Sequence, residues 1–475
     1  MNPQTRDRYR LAPLMRDLKY LTTYGCYPTS AVIELATDGS SAPGDLAFRV
    51  LRLSFDGEQG KQTLRDISAN QWRMTAKGDV QFDLSFNLDS GYYVLLVSDG
   101  YQQSGLPFIV NDKSVPADVA IIRPTFTQWS YHSDGFYPNE KLGVVDRLLG
   151  GVGGLGAPGR LTSRLLRRAA QGLNVSGASP GARLFPAHPE INLGTFYLRN
   201  NRWDRSIWDK EWGRTEGLWV DEVLSGMPVF SLLEKNNVPY HVYTDIDLHN
   251  QNTALNSYRV LIFSGQEGIT SSYYKMLESL QSSGTNSFLL WGVQAFGYRQ
   301  LEYNPQTGVL RYICTRGHEG MWGDSLENRQ PDWGDEGQLF GFHFPEPQSA
   351  TWRYDKLYSH IQVVKCDHPI VRGSQASSAK FSYAVSDVAG QCQPGLTWAG
   401  GEVQERVKAE ASVIAQLDDE RELIGIGEYR NIAFFAPTYL PAFFAYQAHE
   451  HPEVEAWFMA ALDYLTGQNK RCGSA

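Results

Sequence analysis

Apolar and polar residues alternate in the first quarter of the chain. Leu46-Ala47-Phe48-Arg49-Val50-Leu51-Arg52-Leu53-Ser54-Phe55 has the period of two expected of a half-buried strand, and Val80-Gln81-Phe82-Asp83-Leu84-Ser85-Phe86 repeats it. Ala31 to Leu35, Tyr92 to Val97 and Leu106 to Val110 add further strand candidates, and Asp89-Ser90-Gly91 supplies a turn between two of them. Short strands separated by Gly, Asp and Ser turns predict a small β-sandwich over residues 31–112. Residues 1–30 read as an irregular, partly helical arm.

The rhythm changes near Asp118. Val119-Ala120-Ile121-Ile122 is a fully apolar strand candidate, followed by the polar and aromatic stretch Pro124 to Gly135. Met227 to Asn236 predicts a helix with Val229, Leu232 and Leu233 as its apolar stripe. Val238 to Tyr243 reads as a strand that ends at Thr244-Asp245-Ile246-Asp247-Leu248, and Tyr258 to Phe263 as one that ends at Ser264-Gly265-Gln266-Glu267-Gly268. Ser271 to Gln281 is helical, with the hydroxyls of Thr270 and Ser271 available as caps, and Ser287 to Trp291 is the next strand. Strand candidates return at Ser412 to Ala415 and Asn431 to Phe435, before an amphipathic helix from Pro452 to about Leu465. Strands and helices alternating at these spacings predict an α/β domain with a parallel sheet over residues 117–475. A Gly- and Arg-rich insertion at about 150–188 interrupts it. Arg160, Arg164, Arg167, Arg168 and Arg183 occur there with no carboxylate between Asp146 and Glu190. The insertion reads as a surface loop, or as a lid or docking element for an acidic partner. No Gly-Lys-Ser/Thr follows its glycines, so a phosphate-binding loop is rejected.

Composition narrows the function. At 475 residues the chain exceeds one ordinary core, and its formal charge of −9 gives no global footprint for nucleic acid. No apolar run approaches the ~20 residues of a membrane span. The start, Met1 to Arg8, leads into mixed polar sequence with no apolar core of a signal peptide. The five cysteines are scattered without a CxxC pair, against a disulfide framework or a structural zinc site. A soluble, cytoplasmic protein is the expectation.

Three stretches carry candidate chemistry. Ser264-Gly265-Gln266-Glu267-Gly268 sits at a strand-to-helix turn of the kind that presents a nucleophile in hydrolases and amidotransferases, but no Cys or Ser stands between the glycines. Gln266 or Glu267 is presented instead. Glu267 is a candidate base or metal ligand, and equally a cap for the following helix. Tyr131, His132 and Asp134 offer oxygen and nitrogen donors within one turn of chain, suited to iron or manganese, although aromatic clusters at strand ends also serve packing. Asp245 and Asp247, two apart on extended chain, point the same way and suit a cation or a positioned base; the competing reading is helix capping.

The order of these segments resembles the large (beta) subunit of N,N-dimethylformamidase, particularly its C-terminal region. The likeness is carried by Ser90 to Leu95, Leu106 to Val110, Pro124 to Tyr131, Asn201-Arg202-Trp203, Thr244 to Leu248 and Ser264-Gly265, over about residues 31–300. It implies a glutamine-amidotransferase-like α/β domain, and a mononuclear iron held by two tyrosines and a glutamate that hydrolyses a small amide. By the same resemblance Tyr131 matches the first tyrosine ligand. Trp203 stands where the second is expected and cannot ligate as a phenolate. The family's His-x-Glu-Tyr becomes Gln266-Glu267-Gly268-Ile269, so Gln266 replaces the histidine and Glu267 lies one residue out of register with the ligand. Gln294 replaces an active-site asparagine. The expected catalytic set is therefore Glu267, Asp247, Gln266 and Gln294, with Tyr131 and Glu267 as metal ligands, iron as cofactor, a small amide as substrate and a homo-oligomer as the assembly. The alternative is a catalytically degenerate member that acts by binding, and a cysteine-dependent amidotransferase is disfavoured.

Overall fold

The computed structural model describes residues 15–17, 23–37, 43–55, 62–67, 72–98, 103–127, 190–192, 227–266, 268–291, 299–315, 339–340, 360–376, 378–380, 384–386, 392–397, 412–417, 424–435 and 452–472. The insertion at 150–188 lies outside them.

Nine strands come first: β1 (Met15–Asp17), β2 (Cys26–Tyr27), β3 (Ser30–Thr37), β4 (Ala47–Phe55), β5 (Gln62–Asp66), β6 (Trp72–Ala76), β7 (Gln81–Asn87), β8 (Gly91–Ser98) and β9 (Gln103–Val110). They form a four-stranded sheet in the order β1-β3-β7-β6 and a five-stranded sheet in the order β2-β9-β8-β4-β5. One apolar core joins their facing sides. Ile33, Leu35, Phe82, Leu84 and Phe86 of the first meet Val50, Tyr93, Leu95, Val97 and Phe108 of the second. Two pieces of the predicted arm are strands, because β1 pairs with β3 and β2 runs parallel to β9.

The rest of the chain contributes β10 (Val119–Arg123), β11 (Glu190–Asn192), α1 (Met227–Lys235), β12 (Tyr240–Thr244), α2 (Asp245–His249), β13 (Val260–Ser264), β14 (Gly268–Ile269), α3 (Ser271–Ser283), β15 (Ser287–Trp291), β16 (Arg299–Asn304), β17 (Val309–Thr315), β18 (His360–Val363), α4 (Pro369–Ser374), β19 (Ser378–Lys380), β20 (Ala384–Ser386), β21 (Cys392–Thr397), β22 (Ser412–Leu417), β23 (Ile424–Tyr429), β24 (Ile432–Phe435) and α5 (Pro452–Cys472). A nine-stranded sheet runs β12-β10-β13-β15-β24-β23-β22-β18-β19. Its first five strands are mutually parallel, as the α/β spacing predicts, and the other four continue it antiparallel.

Strict alternation assigns the two faces of this sheet. Val119, Ile121, Val242, Val260, Ile262, Leu289 and Trp291 point toward α1, α4 and α5. Ala120, Ile122, Tyr243, Leu261, Phe263, Phe288 and Leu290 point toward α2 and α3. Residues of both faces are buried in β10, β13 and β15, which explains why these strands read as continuous apolar runs. The α1 face also reaches the five-stranded sheet, since Tyr92, Val94 and Leu96 of β8 belong to the same core as Val229, Phe230, Leu232 and Leu233. No helix among the described residues is long and apolar enough to cross a membrane.

Candidate functional site

Within the parallel part of the sheet, β10 lies between β12 and β13. The chain reaches β12 through α1 on one face, and leaves it through α2 on the other. Connections that diverge to opposite faces open a crevice at the carboxyl ends of the strands. Thr125, Phe126 and Thr127 after β10, Asp245 after β12, and Gly265 and Gln266 after β13 converge there.

The turn after β13 is fixed from both sides. Gly265 takes a left-handed conformation (φ 69°) that lets the strand break sharply. Gln266 is fully buried; its Nε2 donates to the Ile122 carbonyl at 2.8 Å, and its Oε1 accepts from the Tyr273 hydroxyl at 3.4 Å. The Gly268 amide donates to Thr127 Oγ1 at 3.0 Å. Both neighbours of position 267 are therefore tied to the exit of β10. A Cβ at Gly268 would lie 2.9 Å from Leu301 Cδ1 and 3.3 Å from the Phe126 carbonyl carbon and oxygen, so a side chain there would require Leu301 and the Phe126 backbone to give way. Glu267, Tyr131, Gln294, Trp203, His132 and Asp134 lie outside the described residues.

A buried carboxyl underlies this turn. Asp245 is fully enclosed, and its Oδ2 accepts the Phe126 amide at 2.8 Å. Burial drives its pKa well above the carboxylate range, against the opposing pull of the Phe126 amide and the Tyr273 hydroxyl, while the nearby Asp247 charge pushes it further up. The phenol of Tyr273 is likewise raised, by burial and then by Asp245. Asp245, Tyr273 and Gln266 thus couple the exits of β10, β12 and β13 through one helix residue. Thr125 Oγ1 and Ser264 Oγ are buried beside them with no hydrogen-bond partner among the described residues.

Asp247 takes a different position. The extended geometry expected for Asp245 and Asp247 is corrected: both sit in α2, where residues two apart do not share a face. The helix starts here because Thr244 is its N-cap and Asp247 its third residue. Asp247 Oδ2 accepts the Thr244 backbone N–H at 2.9 Å and the Thr244 hydroxyl at 3.1 Å, and Oδ1 accepts Asn252 Nδ2 at 2.9 Å. The capping reading of this stretch describes its observed bonds. Asp247 also lines a cleft of about 440 Å³, together with Tyr24, Tyr243 and Lys113.

Sequence reasoning did not single out Tyr24 or Tyr273, and it gave His249, at the end of the Thr244 to His249 stretch, no role of its own. His249 Nδ1 lies 2.8 Å from Thr270 Oγ1, which also accepts the Tyr273 amide at 3.2 Å as the N-cap of α3. Burial lowers the His249 pKa and favours the neutral ring. Tyr24 adopts φ 52°, its carbonyl accepts Arg123 Nη1 at 3.3 Å, and burial raises its phenol. No local motif marks Tyr24, since it reaches the sheet crest only through the pairing of β2 with β9.

Tyr131 and Glu267, the iron ligands that the resemblance implies, lie outside the described residues, and neither described neighbour of Glu267 adds one. The Gln266 amide is committed to Ile122 and Tyr273, Gly268 has no side-chain donor, and no group of three His, Cys, Asp or Glu that could hold a metal ion occurs among the described residues.

No curated protein matches the chain. A family model described as N,N-dimethylformamidase beta subunit-like, C-terminal, matches residues 57–392, from between β4 and β5 to the start of β21. That span covers more than two thirds of the sequence and includes β10, β12, β13 and β15 of the parallel strands, so the chain belongs to the N,N-dimethylformamidase beta subunit-like family.

Proposed function

We propose that the protein is a hydrolase of small amide C–N bonds whose chemistry sits at the carboxyl ends of β10, β12 and β13. We read the α/β part as glutamine-amidotransferase-like and the two packed N-terminal sheets as a small β-sandwich. The observation that carries the reading is the double anchoring of residues 266 and 268 to the exit of β10, which fixes the backbone on both sides of Glu267 at a strand-order switch. In this reading Glu267 accepts a proton from water as the water oxygen adds to the amide carbonyl carbon. The same proton passes to the nitrogen as the C–N bond breaks, giving a carboxylic acid and an amine. An iron in this site would rest on Tyr131 and Glu267, and no step here depends on it. A cytoplasmic homo-oligomer acting on a small neutral amide completes the proposal.

The enclosed Gln266 favours a second reading. With its amide used inside the protein, the position that carries histidine in the family's pattern has become part of the core. A member of this kind would bind amides without turning them over. The test is metal content of the purified protein by inductively coupled plasma mass spectrometry, followed by a screen of formamides and acetamides for amine release. Turnover that disappears in E267Q, with unchanged circular dichroism, supports the hydrolase. Saturable amide binding without amine release overturns it in favour of the binding protein.

A further inference from the structure

The cleft lined by Asp247 lies where the end of β9 meets β12, the edge strand of the large sheet. Its wall is fixed by an unusual contact. Asn111 Oδ1 accepts the Val242 N–H at 3.2 Å and Asn111 Nδ2 donates to the Val242 carbonyl at 3.0 Å, so one side chain occupies the hydrogen-bonding groups of the exposed strand edge. The two residues that follow Asn111, Asp112 and Lys113, are thereby held against β12.

Three tyrosines, Tyr24, Tyr27 and Tyr243, line the cleft with two carboxylates, Asp112 and Asp247. The carboxylates are hydrogen-bonded only by neutral donors in the described contacts: Ser114 for Asp112, and Thr244 and Asn252 for Asp247. Among the described residues neither carboxylate has a bonded cation. The one ammonium at the site belongs to Lys113, whose Nζ stands 3.8 Å from the centre of the Tyr243 ring. Lys113 is exposed and has no carboxylate partner among the described residues, so the aromatic face is its observed cation contact. A ring that already holds an ammonium at this distance, in a cleft that two carboxylates also line, has the chemistry of a site for organic cations.

We propose that this cleft binds small organic ammonium ions on the face of Tyr243, with Asp112 and Asp247 as counter-charges and Lys113 as a tethered plug that the ligand displaces. The inference stands apart from the hydrolytic reading, because it needs neither Glu267 nor turnover.

The plug gives the test its sign. Calorimetric titration of the full chain with tetramethylammonium chloride at low ionic strength should show saturable binding, and K113Q should tighten it by about threefold or more by freeing the ring. Y243L should weaken it by about fivefold or more, and D112N should weaken it less. Lys113 is exposed, so K113Q decides the question even where Y243L fails to fold. Failure of both the wild type and K113Q to bind the ammonium overturns the proposal. Binding of sodium acetate that K113Q abolishes also overturns it, since Lys113 would then be an anion anchor and not a plug.

Discussion

Asp245 is buried beside the sheet crest, and that burial raises the pKa of its carboxyl. Its folded pKa is raised, so the folded state binds this proton more tightly than the unfolded chain does. The associated stability is fully present below the unfolded pKa and is lost as pH rises through the folded value. D245N keeps an acceptor for the Phe126 amide and cannot ionise. The melting temperature of D245N relative to wild type should therefore rise with pH from about 4 upward, and parallel curves would show that Asp245 does not hold its proton. Q266A strips the Ile122 carbonyl of its partner inside the core and should cost about 2–3 kcal/mol in urea unfolding. G268A should cost about 1–3 kcal/mol through the contacts of its new Cβ with Leu301 and Phe126. The resemblance implies that residues 266 and 268 differ from the family pattern. It does not show that the glutamine amide is enclosed, because Ile122 lies 144 residues away and meets it only through the sheet.

Among the elements, the legible ones are those whose information is local. Thr270 followed by an apolar stripe announces α3, and its hydroxyl is the observed cap. T270A should cost about 1–2 kcal/mol, with the loss largest when His249 is neutral and accepts from this hydroxyl. Thr244 with Asp247 three residues on was an equally local signal for α2. The capping reading of that stretch is the one its bonds follow, and only the extended geometry assumed for the two carboxylates differs from the helix observed. Strand order was not legible: β10 pairs with β12 across about 120 residues, and nothing in either apolar run selects its neighbour. The Asn111 clamp on β12 belongs to this class of long-range information. N111A leaves the Val242 N–H and carbonyl without their partner at a sheet edge and should destabilise the protein by about 1–3 kcal/mol, measured by urea unfolding.

At the scale of the molecule, the decisive element is β8. Gly91 to Val97 are all buried, with Tyr93, Leu95 and Val97 facing the N-terminal core and Tyr92, Val94 and Leu96 facing α1. Two N-terminal sheets that folded alone would leave one face of this strand in water, and its sequence would alternate there. Tyr92-Tyr93-Val94-Leu95-Leu96-Val97 does not alternate, so the run already carried the information that both faces are covered. The tilted ring contact of Tyr92 with Phe230, 5.5 Å between centroids, shows what covers it. β8 of the N-terminal sheets and α1 of the α/β part therefore share an apolar interface among the described residues. Expressed alone, 1–112 should bind a dye that reports exposed apolar surface and should associate. The full chain should lose its N-terminal and α/β signals in one calorimetric transition. V94D, which puts a charge into the shared layer, should lower the midpoint by about 3 kcal/mol or more of stability and do so for both parts together. Two separated transitions in wild type, with V94D shifting only one, would mean that the contact between β8 and α1 is not needed by either half.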